Sequence, residues 1–166
     1  YNKSFLNEIL DVSQQRTLIL LDMNNFNYIN SAYGFKNGDK ILTCVAQKLK
    51  NFGADYTFNI HADEFALLFD IIVDIKQNIR KLQKYFYENP IIITGVSFYI
   101  SFTYGASLGD EELLRKASIA LKNAKEIGKN RYNIFDNTNE NNDYQDRLDF
   151  LKLTNILHRV IESDNV

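Results

Sequence analysis

The sequence predicts an α/β (α+β) fold: a mixed central sheet covered by helices in a βαββαβ order. Three observations carry this. Short apolar runs alternate with segments of helical period, and one strictly alternating run is followed at once by a second strand, as in a hairpin. The composition is that of a folded domain, 45% hydrophobic and 24% charged over 166 residues, with one proline and seven glycines. A chain of this length can bury one sizeable core and is too short for two ordinary domains.

The elements follow in order. Residues 1–13 place Phe5, Ile9 and Leu10 at helical spacing, a short amphipathic lead-in. Leu18-Ile19-Leu20-Leu21 is a continuous apolar run ending at Asp22, as a strand buried on both faces requires. From Asn24 to Tyr33 the pattern is polar and helical, with Phe26, Ile29 and Tyr33 on one side. Gly34 and Gly38 are expected to break it, and Asp39 to open a second helix whose apolar face is Ile41, Leu42, Val45 and Leu49. Tyr56, Phe58 and Ile60 then alternate with Thr57, Asn59 and His61, and Phe65 to Phe69 completes a hairpin. Ile72, Ile75, Ile79, Leu82 and Phe86 trace a helix face closed near Pro90. Ile91 to Tyr104 is β-rich, as two strands or one long bent one. Asp110 is the expected cap of a helix bearing Leu114, Ala117, Leu121 and Ala124, with Gly128 closing it, and Tyr132 to Phe135 is a last short strand.

Residues 1–136 form the expected domain. Asp136 to Tyr144, rich in Asn, Asp and Glu, reads as a linker, and Phe150, Leu153, Leu157 and Val160 as the stripe of a final helix within 137–166. The start at Tyr1 and the stop at Val166 inside a helical pattern read as a piece of a longer protein. The net charge of −2 gives no electrostatic reason to expect nucleic acid. No apolar run approaches the roughly 18 residues of a membrane span and no signal peptide is evident, so no membrane contact is expected. Cys44 is the sole cysteine, which excludes an internal disulfide and suits a reducing, cytoplasmic setting.

Chemistry is expected at Asp22 and at Asp63-Glu64. The first ends a buried strand and the second pair sits at a hairpin tip, positions that a sheet holds rigidly while leaving them accessible. Carboxylates brought together from separate strands suit Mg²⁺, which often bridges to phosphates. A solvated turn with a helix-capping Asp accounts for the same residues without metal.

Leu21 to Asp39, LDMNNFNYINSAYGFKNGD, resembles the D-x-D-x-F-K-x-x-N-D-x-x-G-H-x-x-G-D stretch of GGDEF domains, the diguanylate cyclase family. FNIHADEFALLFD resembles their R-Y-G-G-D-E-F-A-V-L-L, ASIALKNAKEIGKN their A-D-x-A-L-Y-x-A-K-x-x-G-R-N, and Tyr1-Asn2-Lys3 the end of their D-x-L-T-x-L-x-N-R lead. The likeness covers about residues 1–136 in order and implies a nucleotidyl-cyclase-like core. It implies that Asp22, Asp63 and the backbone carbonyl of Met23 hold one or two Mg²⁺ ions (Mn²⁺ being the alternative), and that Asn30 and Asp39 hydrogen-bond the guanine edge of GTP. Lys125 and Lys129 would meet the terminal phosphates, Lys129 replacing the more usual Arg. Backbone amides from Asn24 to Phe26 would cradle phosphate oxygens. Glu64 is the position proposed in the family to help activate the attacking ribose hydroxyl. In an active cyclase two such domains face each other, so a homodimer is implied for any turnover.

This chain departs from the family pattern in several places. His61 and Ala62 replace the two glycines of the signature, where ribose and α-phosphate are expected to lie. A β-carbon at Ala62 would cost something like 1 kcal/mol if the turn kept a left-handed conformation. His61 itself reads as a new metal or phosphate contact or as an ordinary strand residue. Asn24 stands for the second Asp of D-x-D, and Asn27 for Lys. At the family's product-binding R-x-x-D, the chain has Phe52-Gly53-Ala54-Asp55, and Phe52 cannot make an arginine's bidentate contacts, so no inhibitory site is expected. LDFLKLTNILHRVIESDNV resembles the helix that leads into an EAL phosphodiesterase domain, which implies such a neighbour and a sensor upstream. Three functions remain open: a degenerate GTP- and Mg²⁺-binding domain that regulates its neighbour, a working cyclase, and an interaction module that binds no nucleotide.

Overall fold

A computed structural model of the chain describes residues 1–136; the expected linker beyond Asp136 and the final helix lie outside the described residues. The elements are α1 (Lys3–Leu10), β1 (Arg16–Met23), α2 (Phe26–Tyr33), α3 (Phe35–Lys50), β2 (Tyr56–His61), β3 (Glu64–Phe69), α4 (Ile75–Glu88), β4 (Ile91–Ile93), β5 (Val96–Phe98), β6 (Phe102–Gly109), α5 (Leu113–Ile127) and β7 (Tyr132–Ile134). Five strands form one mixed sheet in the order β2-β3-β1-β6-β7, parallel only between β6 and β7. The β4–β5 hairpin stands apart from it.

The alternation of side chains along β1 sorts the core into two layers. Ile19, Leu21 and Met23 join the layer under α3 and α4, with Val45, Ile79 and Phe86. Leu18 and Leu20 join the opposite layer, with Leu6 of α1 and Ala117 and Leu121 of α5. By the same parity Asp22 emerges on the α5 side. The fit there is close: a β-carbon on Gly105 would stand 2.2 Å from the Leu121 nitrogen and 2.5 Å from the Ala117 oxygen. Glycine at that point of β6 is therefore what lets α5 lie directly on the sheet.

Several local expectations are corrected. Gly34, at φ 83°, does end α2, but Gly38 is buried inside α3 and breaks nothing. A β-carbon on Gly38 would fall 1.9 Å from Asn30 Oδ1, so that glycine serves the packing of α2 on α3. Asp39 accordingly lies within α3 and does not open it. Ile72 is exposed and precedes α4, which Asp74 caps by accepting from the Gln77 amide at 3.0 Å. Asp110 does not cap α5; Glu112 holds that position at φ 52°, and its carboxylate pairs with Arg115. Leu114 lies at the edge of the buried face of α5, which is Leu113, Ala117, Ala120, Leu121 and Ala124. The β-rich segment after Pro90 holds the β4–β5 hairpin and the start of β6.

Candidate functional site

The register of the sheet builds the site. Asp22 on β1 stands opposite Glu64 on β3 and Thr103 on β6, and Glu64 in turn stands opposite His61 on β2. Directly opposed residues of antiparallel strands share a face. A row of Thr103, Asp22, Glu64 and His61 thus crosses one end of the sheet on the α5 side. Lys125, from the last turn of α5, reaches down to this row and donates from Nζ to Asp22 Oδ2 at 2.6 Å.

Beside the row lies a cleft of about 490 Å³, lined by Asp22, Met23, Asp63, Phe26, Lys125 and Lys129 among others. It therefore brings together most of the residues expected to meet metal and phosphate. The Met23 amide donates to the Asp63 carbonyl at 3.0 Å, which ties the hairpin tip to the end of β1. Lys129 donates to Asn25 Oδ1 and lies 5.8 Å above the Tyr28 ring. Asn25 takes a left-handed φ of 62° and makes no side-chain cap, leaving the first turn of α2 without a capping side chain at the cleft wall. The Asn24 amide, expected to be available to phosphate, donates instead to the Ser101 carbonyl at 2.9 Å.

Asn24, Ser101 just before β6 and Thr103 within it form a polar latch that sequence reasoning did not identify. Asn24 Nδ2 donates to Ser101 Oγ at 3.0 Å, and Thr103 Oγ1 donates to Asn24 Oδ1 at 2.9 Å. A side chain engaged at both ends holds the strand end in place. The readable signal was the Asn at a D-x-D position; its partners lie nearly eighty residues away and no local pattern marks them.

Glu64 is half-buried, and that burial raises its carboxyl above the ordinary value. Lys125 and His61 oppose the rise, while Asp22 adds to it. His61 and Ala62 are exposed. The non-glycine residues with positive φ among those described are Asn25, Thr94, Glu112 and Asn130, so Ala62 carries no left-handed strain. A register shift between Asn59 and His61 accompanies this turn in place of a left-handed residue.

Asn30 and Asp39 do not line this cleft. Asn30 lies against Gly38 with its Oδ1 buried and without a hydrogen-bond partner, and Asp39 is exposed one residue further along α3. Asp39 borders a second, shallower hollow with Lys36, Lys40 and Thr94. Of the product-site window, Phe52 packs on the core, and Asp55 accepts from the Asp70 amide at 2.8 Å.

A family model described as "Diguanylate cyclase, GGDEF domain" matches residues 2–131. The chain belongs to the GGDEF family. It is 30% identical over 129 residues to the cyclic di-GMP phosphodiesterase NbdA of Pseudomonas aeruginosa, an alignment covering 71% of this chain and 16% of that protein. It is 30% identical over 133 residues to the diguanylate cyclase DgcM of Escherichia coli K12, covering 74% of this chain and 31% of that one. The chain thus spans less than a third of these relatives. Among solved structures, an EAL/GGDEF domain protein from M. capsulatus superposes with a TM-score of 0.68 at 27% identity, covering 79% of this chain and 94% of that one. The GGDEF domain of PA1120 from Pseudomonas aeruginosa superposes at 0.72 with 20% identity, covering 82% and 96%, and bears on the fold alone. This GGDEF domain has no helix, among the described residues, long and apolar enough to cross a membrane.

Proposed function

We propose that this GGDEF domain serves cyclic di-GMP signalling by binding GTP with Mg²⁺ and regulating a neighbouring domain, an EAL phosphodiesterase, in the cytoplasm, with weak or no cyclase activity of its own. The observation that carries the reading is the cleft at the end of β1, where Asp22 and Asp63 lie beside Lys125, Lys129 and the start of α2. Its donor set fits a hard divalent ion: two carboxylates and the Met23 carbonyl, with Asp22 already holding a cation, the Lys125 ammonium. When bound, the metal would neutralise phosphate charge. Lys129 and the start of α2 would hold phosphate oxygens, and Asn30 and Asp39 would offer an amide and a carboxylate to guanine from adjoining helices. His61, exposed at the hairpin, adds an imidazole where the signature has glycine, and misplacing reacting groups by about 1 Å costs on the order of 100-fold in rate. Turnover is thereby lost more readily than binding. Titration calorimetry with GTP and Mg²⁺ tests this: saturable binding is expected, and none at high micromolar GTP would sink it.

A second reading, an active cyclase, is favoured by the relaxed backbone at Ala62 and by the raised carboxyl of Glu64, which suits a proton acceptor. In that reaction the 3′-oxygen of each GTP bonds to the α-phosphorus of the other, two pyrophosphates leave, and the hydroxyl protons pass to bases. Two copies of the domain must face each other. Chromatography for cyclic di-GMP, with His61→Gly/Ala62→Gly as comparison, decides it: product from neither protein removes this reading.

A further inference from the structure

The two lysines of the cleft are held in different ways. Lys125 is paired at 2.6 Å with Asp22, the carboxylate proposed above to hold metal, and Asp22 is only 23% exposed. Lys129 rests on neutral partners, the Asn25 carboxamide and the face of Tyr28. The lining charges of the cleft therefore cancel, Asp22 and Asp63 against Lys125 and Lys129. Among the described residues no three His, Cys, Asp or Glu side chains converge on a metal position, so the protein by itself offers a partial oxygen shell.

We infer that Lys125 is an internal cation that competes with the metal for Asp22 and makes metal binding conditional on the nucleotide. The inference rests on the GTP–Mg²⁺ reading above and describes how that site is regulated. Without nucleotide, a divalent ion approaching the cleft must displace an ammonium from Asp22 while keeping both lysines nearby. A triphosphate changes both conditions. Its oxygens meet Lys129 first, since that ammonium gives up only a neutral amide and a ring face, and then draw Lys125 away from Asp22. The carboxylate is then free, and the phosphate supplies the oxygens that the protein lacks. Metal and nucleotide consequently bind with positive coupling, each tightening the other by the same factor. The neutral Asn24 contributes to this: latched to Ser101 and Thr103, it adds no charge that would hold metal without nucleotide.

The test is Mn²⁺ binding followed by electron paramagnetic resonance, with and without the α,β-methylene analogue of GTP, whose α-phosphorus cannot lose pyrophosphate. For the wild-type chain the analogue is expected to tighten Mn²⁺ by about tenfold or more. Lys125→Met, with Lys125→Gln as a second variant, should bind Mn²⁺ alone at least about fivefold tighter and show a smaller tightening by the analogue. Lys129→Met removes an equal charge from the same cleft and separates a specific ion pair from a general field. It should weaken the analogue while leaving Mn²⁺ alone within about twofold of wild type. Equal Mn²⁺ affinities for wild type and both Lys125 variants, in a chain that does bind the analogue, would overturn the inference, as would the same gain for Lys129→Met. Failure of the wild type to bind the analogue at all, with or without Mn²⁺, instead removes the GTP reading on which it rests.

Discussion

At the scale of single residues, Glu64 and Ala62 show how a side chain's surroundings decide its behaviour. Burial raises the Glu64 carboxyl, so the native state disfavours its charged form. The stability linked to this group is fully present below the ordinary carboxylate range and is lost as pH rises through the raised value. Glu64→Gln is therefore expected to be more stable than wild type at pH 7, with the difference closing near pH 4. Urea midpoints at the two pH values check it, and an equal gain at both would point to packing. Ala62 gives the opposite lesson to the one its motif suggests. Its φ is not left-handed, so no strain awaits relief by glycine. His61→Gly/Ala62→Gly should lower stability by about 1 kcal/mol through unfolded-state entropy, whatever it does to activity, and thermal unfolding reads the sign.

At the scale of elements, two contacts hold the site's supports in register. Arg16 is buried at the start of β1, donating to Asp70 Oδ1 at 2.8 Å, to the Ile9 and Val12 carbonyls at 3.0 and 2.9 Å, and to Gln14 at 3.0 Å. It joins the end of α1, β1 and the end of β3 through one planar group. Arg16→Ala leaves these acceptors unpaired and should cost about 3 kcal/mol, read as a fall in the urea midpoint at unchanged slope. Gly105 is the second contact. Gly105→Ala drives a β-carbon into the backbone of α5, with nothing flexible to yield, and should cost about 3 kcal/mol. Because α5 carries Lys125, nucleotide affinity is expected to fall in the same variant, which calorimetry on the folded fraction would detect. Neither residue was legible in the sequence. A continuous apolar run announced β1, and apolar periods announced the β2–β3 hairpin and the face of α3, since burial on two faces or on one imposes those patterns. Arg16 pairs with a carboxylate 54 positions away and with backbone carbonyls, which leave no mark on composition. Gly38 misled for a related reason. Glycine punctuates helices in isolation, but here its missing β-carbon admits Asn30, and helix packing overrides the local preference.

At the scale of the molecule, the site is a joint product of the layers. β1 supplies Asp22 and Met23, the β2–β3 turn supplies Asp63, α2 supplies Phe26, and Lys125 and Lys129 come from α5 and the residues just after it. The motifs made these residues readable one by one. Their convergence follows from a register that only the folded sheet defines: Asp22 faces α5 because Leu18 and Leu20 do. A ligand bound by groups from so many elements must be released before the fold opens, so its binding energy adds to global stability. At a free concentration one hundred times its Kd, a ligand adds about 2.7 kcal/mol, several degrees in Tm for a domain of this size. GTP with Mg²⁺ is expected to produce such a rise, and either alone a smaller one. Asp22→Asn should abolish the metal-dependent part while keeping the fold, because the amide is nearly isosteric and its neighbour Lys125 is half-exposed and can turn to water. Differential scanning fluorimetry of the two proteins across the four conditions is sufficient. An equal rise in Asp22→Asn with metal and nucleotide together would place the ion somewhere other than the end of β1.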